Sequence, residues 1–244
     1  MLSPKPWKLE AVLRLALGVF ICLFVGTLLV MLVHGAGGDK SPVTIRQILV
    51  SALCFQGASI VLVWRFVREH EMGWVEAFGF RNARGRAVVL GMLVVVGFLP
   101  MAGLLQRGSL EVLHRLGIDP VVQSAVEALH NAGQGPGLLA FVLITVVIAP
   151  LGEELLFRGV LYPAIKRAGY PQLALWGSST LFAAIHFNLP IFLPLLVLSL
   201  LLVWLYEQTD NLLAPLVTHA LFNAANLVIF FLSGDPAAKF PAQR

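Results

Sequence analysis

The chain has 244 residues, of which 58% are hydrophobic and only 12% are charged, and its mean hydropathy is +0.86. A soluble domain carries about 25% charged residues, so this composition excludes an ordinary soluble protein and predicts a polytopic membrane protein. The formal net charge of +4 is explained by basic residues that flank membrane spans, so it indicates no nucleic-acid partner.

Seven apolar stretches approach the roughly 20 residues that a transmembrane helix needs. In chain order they are 12–33, 47–67, 87–105, 138–167, 172–187, 191–206 and 212–232. We therefore predict an all-α membrane protein with about seven transmembrane helices. Cys22 and Cys54 fall inside two of these stretches, and we interpret them as packing residues rather than a disulfide or a metal pair.

Two connections between these stretches are long enough to carry structure of their own. The segment 72–80 sets Trp74, Phe78 and Phe80 among charged residues, which is typical of an interfacial segment with aromatic anchors. The connection 106–136 is predicted to hold two short amphipathic pieces, near 110–116 and 121–129.

Lys and Arg are more numerous in the connections on the side of the N-terminus, which predicts a cytoplasmic N-terminus and an external C-terminus. One span fewer would place the C-terminus inside as well. The chain is divided into N-terminal helices over 1–137, a core over 138–232 that carries the polar stretches described next and a short tail over 233–244, all within one membrane domain.

The stretch 138–167 differs from the other predicted spans because three charged residues, Glu153, Glu154 and Arg158, interrupt its apolar run. Each charge at a helix centre costs about 2.5–3.5 kcal/mol, whereas each Leu, Ile, Val or Phe returns only about 0.3–0.6 kcal/mol. Glu154 and Arg158 are spaced to pair along one helix face, and Glu153 needs another partner. Pro150 predicts a kink that aims the carboxylates inward.

Two later stretches also carry buried polar side chains. His186 lies in the fifth stretch, and His219, Asn223 and Asn226 share one helix face of the seventh because they are spaced i, i+4 and i+7. Burying such groups is costly unless they meet one another. The sequence therefore predicts one polar intramembrane site shared by three helices.

This set of residue types suits the hydrolysis of an amide bond. A carboxylate with a histidine can deprotonate water or hold a metal that does so, and a second histidine with an asparagine can stabilise an oxyanion. Glu, His and His are also plausible zinc ligands. Other hydrolase designs fit less well, since the chain has no His-Glu-x-x-His motif, no pair of intramembrane aspartates and no Gly-x-Ser-x-Gly elbow.

Three motifs stand in order on these helices: Glu153-Glu154-x-x-x-Arg158, Phe182-x-x-x-His186 and His219-x-x-x-Asn223. Together they resemble the CPBP intramembrane proteases, also called the CAAX protease and bacteriocin-processing, or Abi, family. The resemblance covers about 138–226, and the length of the chain looks like that of a prokaryotic member. The resemblance implies a helical membrane endopeptidase with its site opening toward the cytoplasm, and the length of the chain predicts the plasma membrane of a prokaryote.

The resemblance also implies roles for the site residues. Glu153 and His186 would activate the water, and His219 and Asn223 would form the oxyanion hole. Members are described both as metalloproteases and as glutamate proteases, so zinc stays open, with His186, His219 and Glu153 as its ligands if it is bound.

Glu154 and Arg158 would support the site, and a role for Glu154 closer to the chemistry stays open. The partners implied are the lipid bilayer and a peptide or membrane-protein substrate, and the oligomeric state is left open. Eukaryotic members cleave prenylated C-terminal tripeptides, but nothing in this sequence shows that substrate.

Two other functions stay open at this point. A non-enzymatic scaffold or immunity protein could have the same fold, and an ion-coupled transporter could use buried Glu and His as relays. Phe182 is interpreted as a packing residue, the Glu154–Arg158 pair could be purely structural, and Asn188 and Asn226 either line the site or bond to backbone.

Overall fold

A computed structural model describes residues 2–34, 44–82, 84–118 and 136–232. Within these ranges all regular secondary structure is helical, which confirms the predicted fold class. We number eight helices: α1 (Leu9–His34), α2 (Ile45–Ala52, Leu53–Gly57 and Ala58–Glu69 in succession), α3 (Trp74–Ala77), α4 (Arg84–Arg115), α5 (Pro136–Arg167), α6 (Leu173–Ala184), α7 (Leu189–Thr209) and α8 (Leu213–Leu232).

In the described ranges, six helices are long and apolar enough to cross a membrane: α1, α2, α4, α5, α7 and α8. Large apolar side chains on α1 such as Leu13, Phe20 and Phe24 are more than half exposed, as expected of a surface that faces lipid. The chain is therefore built as a multi-pass membrane protein.

The shorter apolar helix α6 corresponds to the predicted span 172–187. At the end of α5, the Arg167 side chain donates a hydrogen bond of 2.8 Å to the Lys5 carbonyl. At the end of α7, Asp210 accepts one of 3.0 Å from the Ser3 hydroxyl. Both helices thus end at the same end of the bundle, so α6 and the turn after it lead the chain away before α7 returns. This path agrees with about seven passes.

The third predicted span is longer than expected. Helix α4 continues without a break from Arg84 to Arg115, so the expectation of a separate amphipathic piece at 110–116 is wrong. The polar residues there are compatible with a helix, and Arg115 pairs with Glu111 one turn earlier at 2.7 Å. The second expected piece, 121–129, and the tail 233–244 lie outside the described residues.

The segment around α3 packs inward rather than only along a surface. Phe78 is fully buried and its carbonyl accepts a hydrogen bond of 2.9 Å from the Leu212 amide. Its ring also meets Gly159 of α5 so closely that an added Cβ at Gly159 would lie 2.6 Å from it. Phe78 is therefore a core residue and not an interfacial anchor.

Helix α5 lies between two apolar clusters. One contains Leu155 with Trp7, Phe66, Phe78 and Tyr206. The other contains Phe157 with Phe98, Phe182, Leu198 and Phe222. Since adjacent turns of α5 are packed on both sides, the helix that carries the two glutamates is held firmly in place.

Candidate functional site

Helix α5 departs from α-helical geometry on both sides of the glutamates. The segments Ile144–Ile148 and Leu155–Leu161 are π-helical, and the six residues Ala149–Glu154 lie between them. Single-turn π segments are frequent at functional sites because they re-aim side chains. The kink of the helix axis expected at Pro150 stays a prediction. The structure shows a π-helical segment, Ile144–Ile148, that ends two residues before the proline.

Glu154 and Arg158 form the ion pair predicted from their spacing. The Arg158 Nη1 atom lies 2.8 Å from Glu154 Oε1, and the two side chains are 1% and 0% exposed. Arg158 Nη2 donates a second bond of 2.7 Å to the Ser199 hydroxyl of α7, and the guanidinium carbon lies 4.4 Å from the centre of the Phe182 ring. The arginine is thus held from three directions.

His219 connects the two glutamates. Its Nδ1 atom lies 2.9 Å from Glu154 Oε1, and its Nε2 atom lies 3.8 Å from Glu153 Oε2. An ionised carboxylate can only accept, so Nδ1 carries the proton in the shorter contact. The longer contact exceeds the length of a hydrogen bond.

Glu153 has a partner that the sequence reasoning missed. Gln56 of α2 donates a hydrogen bond of 2.9 Å from Nε2 to Glu153 Oε1, and both side chains are buried. The signal was an amide in the middle of the apolar stretch 47–67. A continuous polar chain from four helices results: Ser199, Arg158, Glu154, His219, Glu153 and Gln56.

His186 lies at the end of α6 beside this polar chain. Its Nδ1 atom is 2.8 Å from the Phe182 carbonyl, which can only accept, so Nδ1 carries a proton, and in the neutral ring Nε2 has a free lone pair. Within the described residues its ring hydrogen-bonds there and not to Glu153. The rings of His186 and His219 lie 5.2 Å and 5.6 Å from that of Phe182, which agrees with a packing role for Phe182.

Asn223 makes a contact that depends on the proline in α5. Its Nδ2 atom donates a hydrogen bond of 2.9 Å to the Thr145 carbonyl. Along the helix that carbonyl would be reached by residue 149 or 150, but the Ala149 amide donates to Ile144 and Pro150 has no N–H. Asn223 therefore supplies a bond that the α5 backbone lacks.

The other two candidate asparagines, Asn188 and Asn226, form hydrogen bonds with backbone groups. The Asn188 side chain begins α7 by accepting a hydrogen bond of 3.3 Å from the Ile191 amide. Asn226 donates one of 2.8 Å to the Phe222 carbonyl on its own helix.

The three residues named as possible zinc ligands do not form a metal-binding group. Across the described part of the chain, no cluster of three or more His, Cys, Asp or Glu side chains is arranged to hold a metal ion. His219 turns its nitrogens toward Glu154 and Glu153, and His186 turns Nδ1 toward a carbonyl. The contacts of His219 with two carboxylates are of the kind that proton transfer uses, and zinc binding stays a prediction.

Comparison with known proteins supports the resemblance drawn from the motifs. Residues 135–225 match the family described as "Type II CAAX prenyl endopeptidase Rce1-like", and this segment includes all the motif residues. The chain is 35% identical over 78 residues to the "UPF0177 protein YxdF" of Lactococcus lactis subsp. lactis (strain IL1403), covering 32% of this chain and 42% of that protein.

A second relative is the "Uncharacterized protein YpbD" of Bacillus subtilis (strain 168), 37% identical over 87 residues, or 34% of this chain and 41% of that protein. The aligned region thus spans less than half the length of either relative. No solved structure matches the chain.

Proposed function

We propose that this protein is an intramembrane endopeptidase that hydrolyses a peptide bond of a membrane-associated substrate with water activated by Glu153. The observation that carries the proposal is the buried polar chain, in which Glu153 and Glu154 are joined through His219 at 3.8 Å and 2.9 Å. Such a chain is costly to place in a membrane, and ionisable groups retained there usually serve a function. The match of residues 135–225 to an endopeptidase family favours the same reading.

The reaction is a general-base hydrolysis. Glu153 takes a proton from a water molecule, and the resulting hydroxide attacks the carbonyl carbon of the scissile amide to give a tetrahedral oxyanion. Glu153 then returns the proton to the amide nitrogen as the C–N bond breaks, so the carboxylate is regenerated. No step requires a metal ion.

The neighbouring residues take supporting parts. His186 keeps its Nε2 lone pair because its proton is held on Nδ1 by a carbonyl, so Nε2 can share the proton of the attacking water. His219 and Asn223 are the proposed oxyanion donors. His219 would donate from Nε2 as the doubly protonated ring, because its Nδ1–H is held by Glu154, and Asn223 has a second amide N–H beside the one given to Thr145. Arg158 pairs with Glu154, which in turn fixes His219 through the contact at Nδ1.

The proposed location is the plasma membrane of a prokaryotic cell, with residues 2–8 on the cytoplasmic side. Lys5, Lys166 and Arg167 gather with Glu207 and Asp210 at one end of the bundle, as the excess of positive charge on the inner side predicts. His219 is six residues beyond the start of α8 at that end, about 9 Å along the helix. The site would thus open toward the cytoplasm.

The test uses the full chain in liposomes and an internally quenched peptide that ends in Cys-aliphatic-aliphatic-X. The cysteine carries a farnesyl chain in one probe and a palmitoyl chain in the other. We expect cleavage by the wild type and a loss of about a thousandfold or more in Glu153→Gln, because the amide cannot accept the proton.

The matched control is Glu207→Gln, which removes a partly buried carboxylate that pairs with Lys166 outside the site. It should cleave like the wild type. Equal activity in Glu153→Gln and the wild type would contradict the proposed base. A wild type that cleaves neither probe would reject this substrate class and favour the scaffold function, whereas cleavage of both probes would show that the lipid anchor matters more than its prenyl chemistry.

A further inference from the structure

We propose that Gln56 is a positioning residue for Glu153. The site then includes a residue of α2, a helix that precedes the segment matched to the endopeptidase family. The inference rests on the proposed function, because it concerns the same carboxylate. It assigns a purpose to an amide that the three sequence motifs do not contain.

The contact fixes which oxygen of Glu153 is free to act. Gln56 Nε2 donates 2.9 Å to Oε1, while Oε2 is the oxygen that faces His219 at 3.8 Å. The two side chains are 8% and 6% exposed, so little water competes for the hydrogen bond. With Oε1 held, the carboxylate cannot rotate freely, and Oε2 is left to take the proton from the attacking water.

The fold brings α2 against α5 at this level by a special arrangement. Gln56 lies in the π-helical segment Leu53–Gly57, and the residue before Glu153 is a glycine. A Cβ added to Gly152 would lie 3.0 Å from the Gln56 carbonyl oxygen and 3.1 Å from its Cα. The absence of a side chain at Gly152 therefore lets the α2 backbone approach closely enough for Gln56 to reach Glu153.

The Gln56 amide uses only part of its hydrogen-bonding capacity. Among the described residues, its Oε1 atom is buried without a hydrogen-bond partner. Buried polar atoms are nearly always paired, and an exception needs an explanation, of which a catalytic role is one. A side chain selected only to hold α2 on α5 would be expected to satisfy both ends of its amide.

The test measures kcat and KM with the cleaved lipidated peptide. Gln56→Met keeps the length of the side chain but cannot donate, and we expect kcat to fall about ten- to a hundredfold with little change in KM. Gln56→His places a ring N–H at the same number of bonds from the backbone and should recover much of kcat. Ser59→Ala is the matched control, because Ser59 is buried one turn further along α2 and, among the described residues, bonds to the Phe55 carbonyl of its own helix.

Melting temperatures in detergent accompany the kinetics. The inference is overturned if Gln56→Met keeps the wild-type kcat while Glu153→Gln is inactive. It is also overturned if Gln56→Met and Gln56→His lose kcat equally and melt well below Ser59→Ala, since that pattern shows a structural role alone.

If Gln56→Met does not fold, Gly152→Ala decides the question, because its Cβ would separate α2 from α5. A wild-type kcat there would reject the inference. A wild type that cleaves no probe, by contrast, rejects the proposed function itself.

Discussion

Two of the Glu–Arg pairs in the described residues have the same spacing and nearly the same length but opposite surroundings. Glu154 and Arg158 lie 2.8 Å apart with side chains 0% and 1% exposed, whereas Glu111 and Arg115 lie 2.7 Å apart with side chains 59% and 75% exposed. In the sequence both are Glu-x-x-x-Arg on a helix. The local pattern therefore predicts the contact in each case but not how much the contact contributes to the free energy of unfolding.

The surroundings decide the energetics of each pair. An exposed pair on one helix contributes less than about 1 kcal/mol, because water screens the charges. A buried pair must first lose its hydration, so forming it gains little, yet removing one partner leaves a charge stranded. The buried pair is also tied to Ser199 and His219, so it fixes the direction of a group that reaches Glu153.

The largest difference between the two pairs is expected when each arginine is removed. Arg158→Met should destabilise the protein by about 3–5 kcal/mol, because Glu154 is left buried without its counter-charge. Arg115→Met should cost less than about 1 kcal/mol. Denaturant unfolding of both variants in the same detergent measures this contrast, and equal costs would show that Glu154 is hydrated.

The double variant Glu154→Gln/Arg158→Met sharpens the same comparison. Because no charge is then stranded, it should be more stable than Arg158→Met alone. Peptide cleavage should nevertheless stay low, since the Nδ1–H of His219 then meets a neutral amide oxygen instead of a carboxylate. A double variant that is as unstable as the single one would indicate that packing of the Arg158 side chain, and not charge, dominates.

The next expected effect concerns the link between the buried pair and Glu153. Replacing His219 by Ala should lower kcat/KM about a hundred- to a thousandfold, because a proposed oxyanion donor and the link between the carboxylates are lost together. The control is His70→Ala, since His70 packs on Trp7 and Phe66 away from the site. If both variants cleave the peptide equally well, the buried pair has no connection to catalysis.

A smaller effect is expected at the α8 contact with α5. Asn223→Leu should cost about 1–3 kcal/mol of stability, because the Thr145 carbonyl loses its donor. Asn226→Leu should cost less, since Asn226 bonds to a carbonyl of its own helix. Unfolding of the two variants under identical conditions gives the comparison, and an equal cost would argue against the missing backbone bond as the cause.

The smallest effect is expected from removal of metal. We expect protein purified without chelator to contain less than stoichiometric zinc, and its activity to be unchanged by chelation, because His219 already turns its nitrogens to the two carboxylates. The measurement is metal content beside a His186→Ala/His219→Ala variant. About one zinc per chain that disappears in the variant would instead make these histidines ligands.

Much of the fold could be predicted from the sequence because it depends on local properties. Apolar length gives the spans, and the cost of a charge in lipid singles out Glu153, Glu154 and Arg158. The end of α4 was predicted less well. Polar residues after position 105 suggested a break, yet they continue the helix to Arg115 because nothing in them opposes helical geometry.

The sequence predicted which residues form the site better than it predicted the contacts between them. The spacing of Glu154 and Arg158 predicted their bond, but the bond from Gln56 to Glu153 depends on how α2 packs against Gly152, which no local pattern contains. Ser199 was missed for the same reason. Expectations for His186 and Asn223 came from their residue types, and the backbone carbonyls that they contact are set by the turn at the end of α6 and by the π-helical segment of α5.

The hydrogen bonds that hold residues 2 and 3 have a consequence for the order of assembly. The backbone amides of Leu2 and Ser3 donate to Glu207 and Asp210, across 205 and 207 positions of the chain. During synthesis these acceptors emerge long after the first helix has entered the membrane, so the early segment must wait undocked until α7 is in place. Docking of the N-terminal segment is therefore a late step of folding, and a label on residue 3 would report the arrival of the last helices.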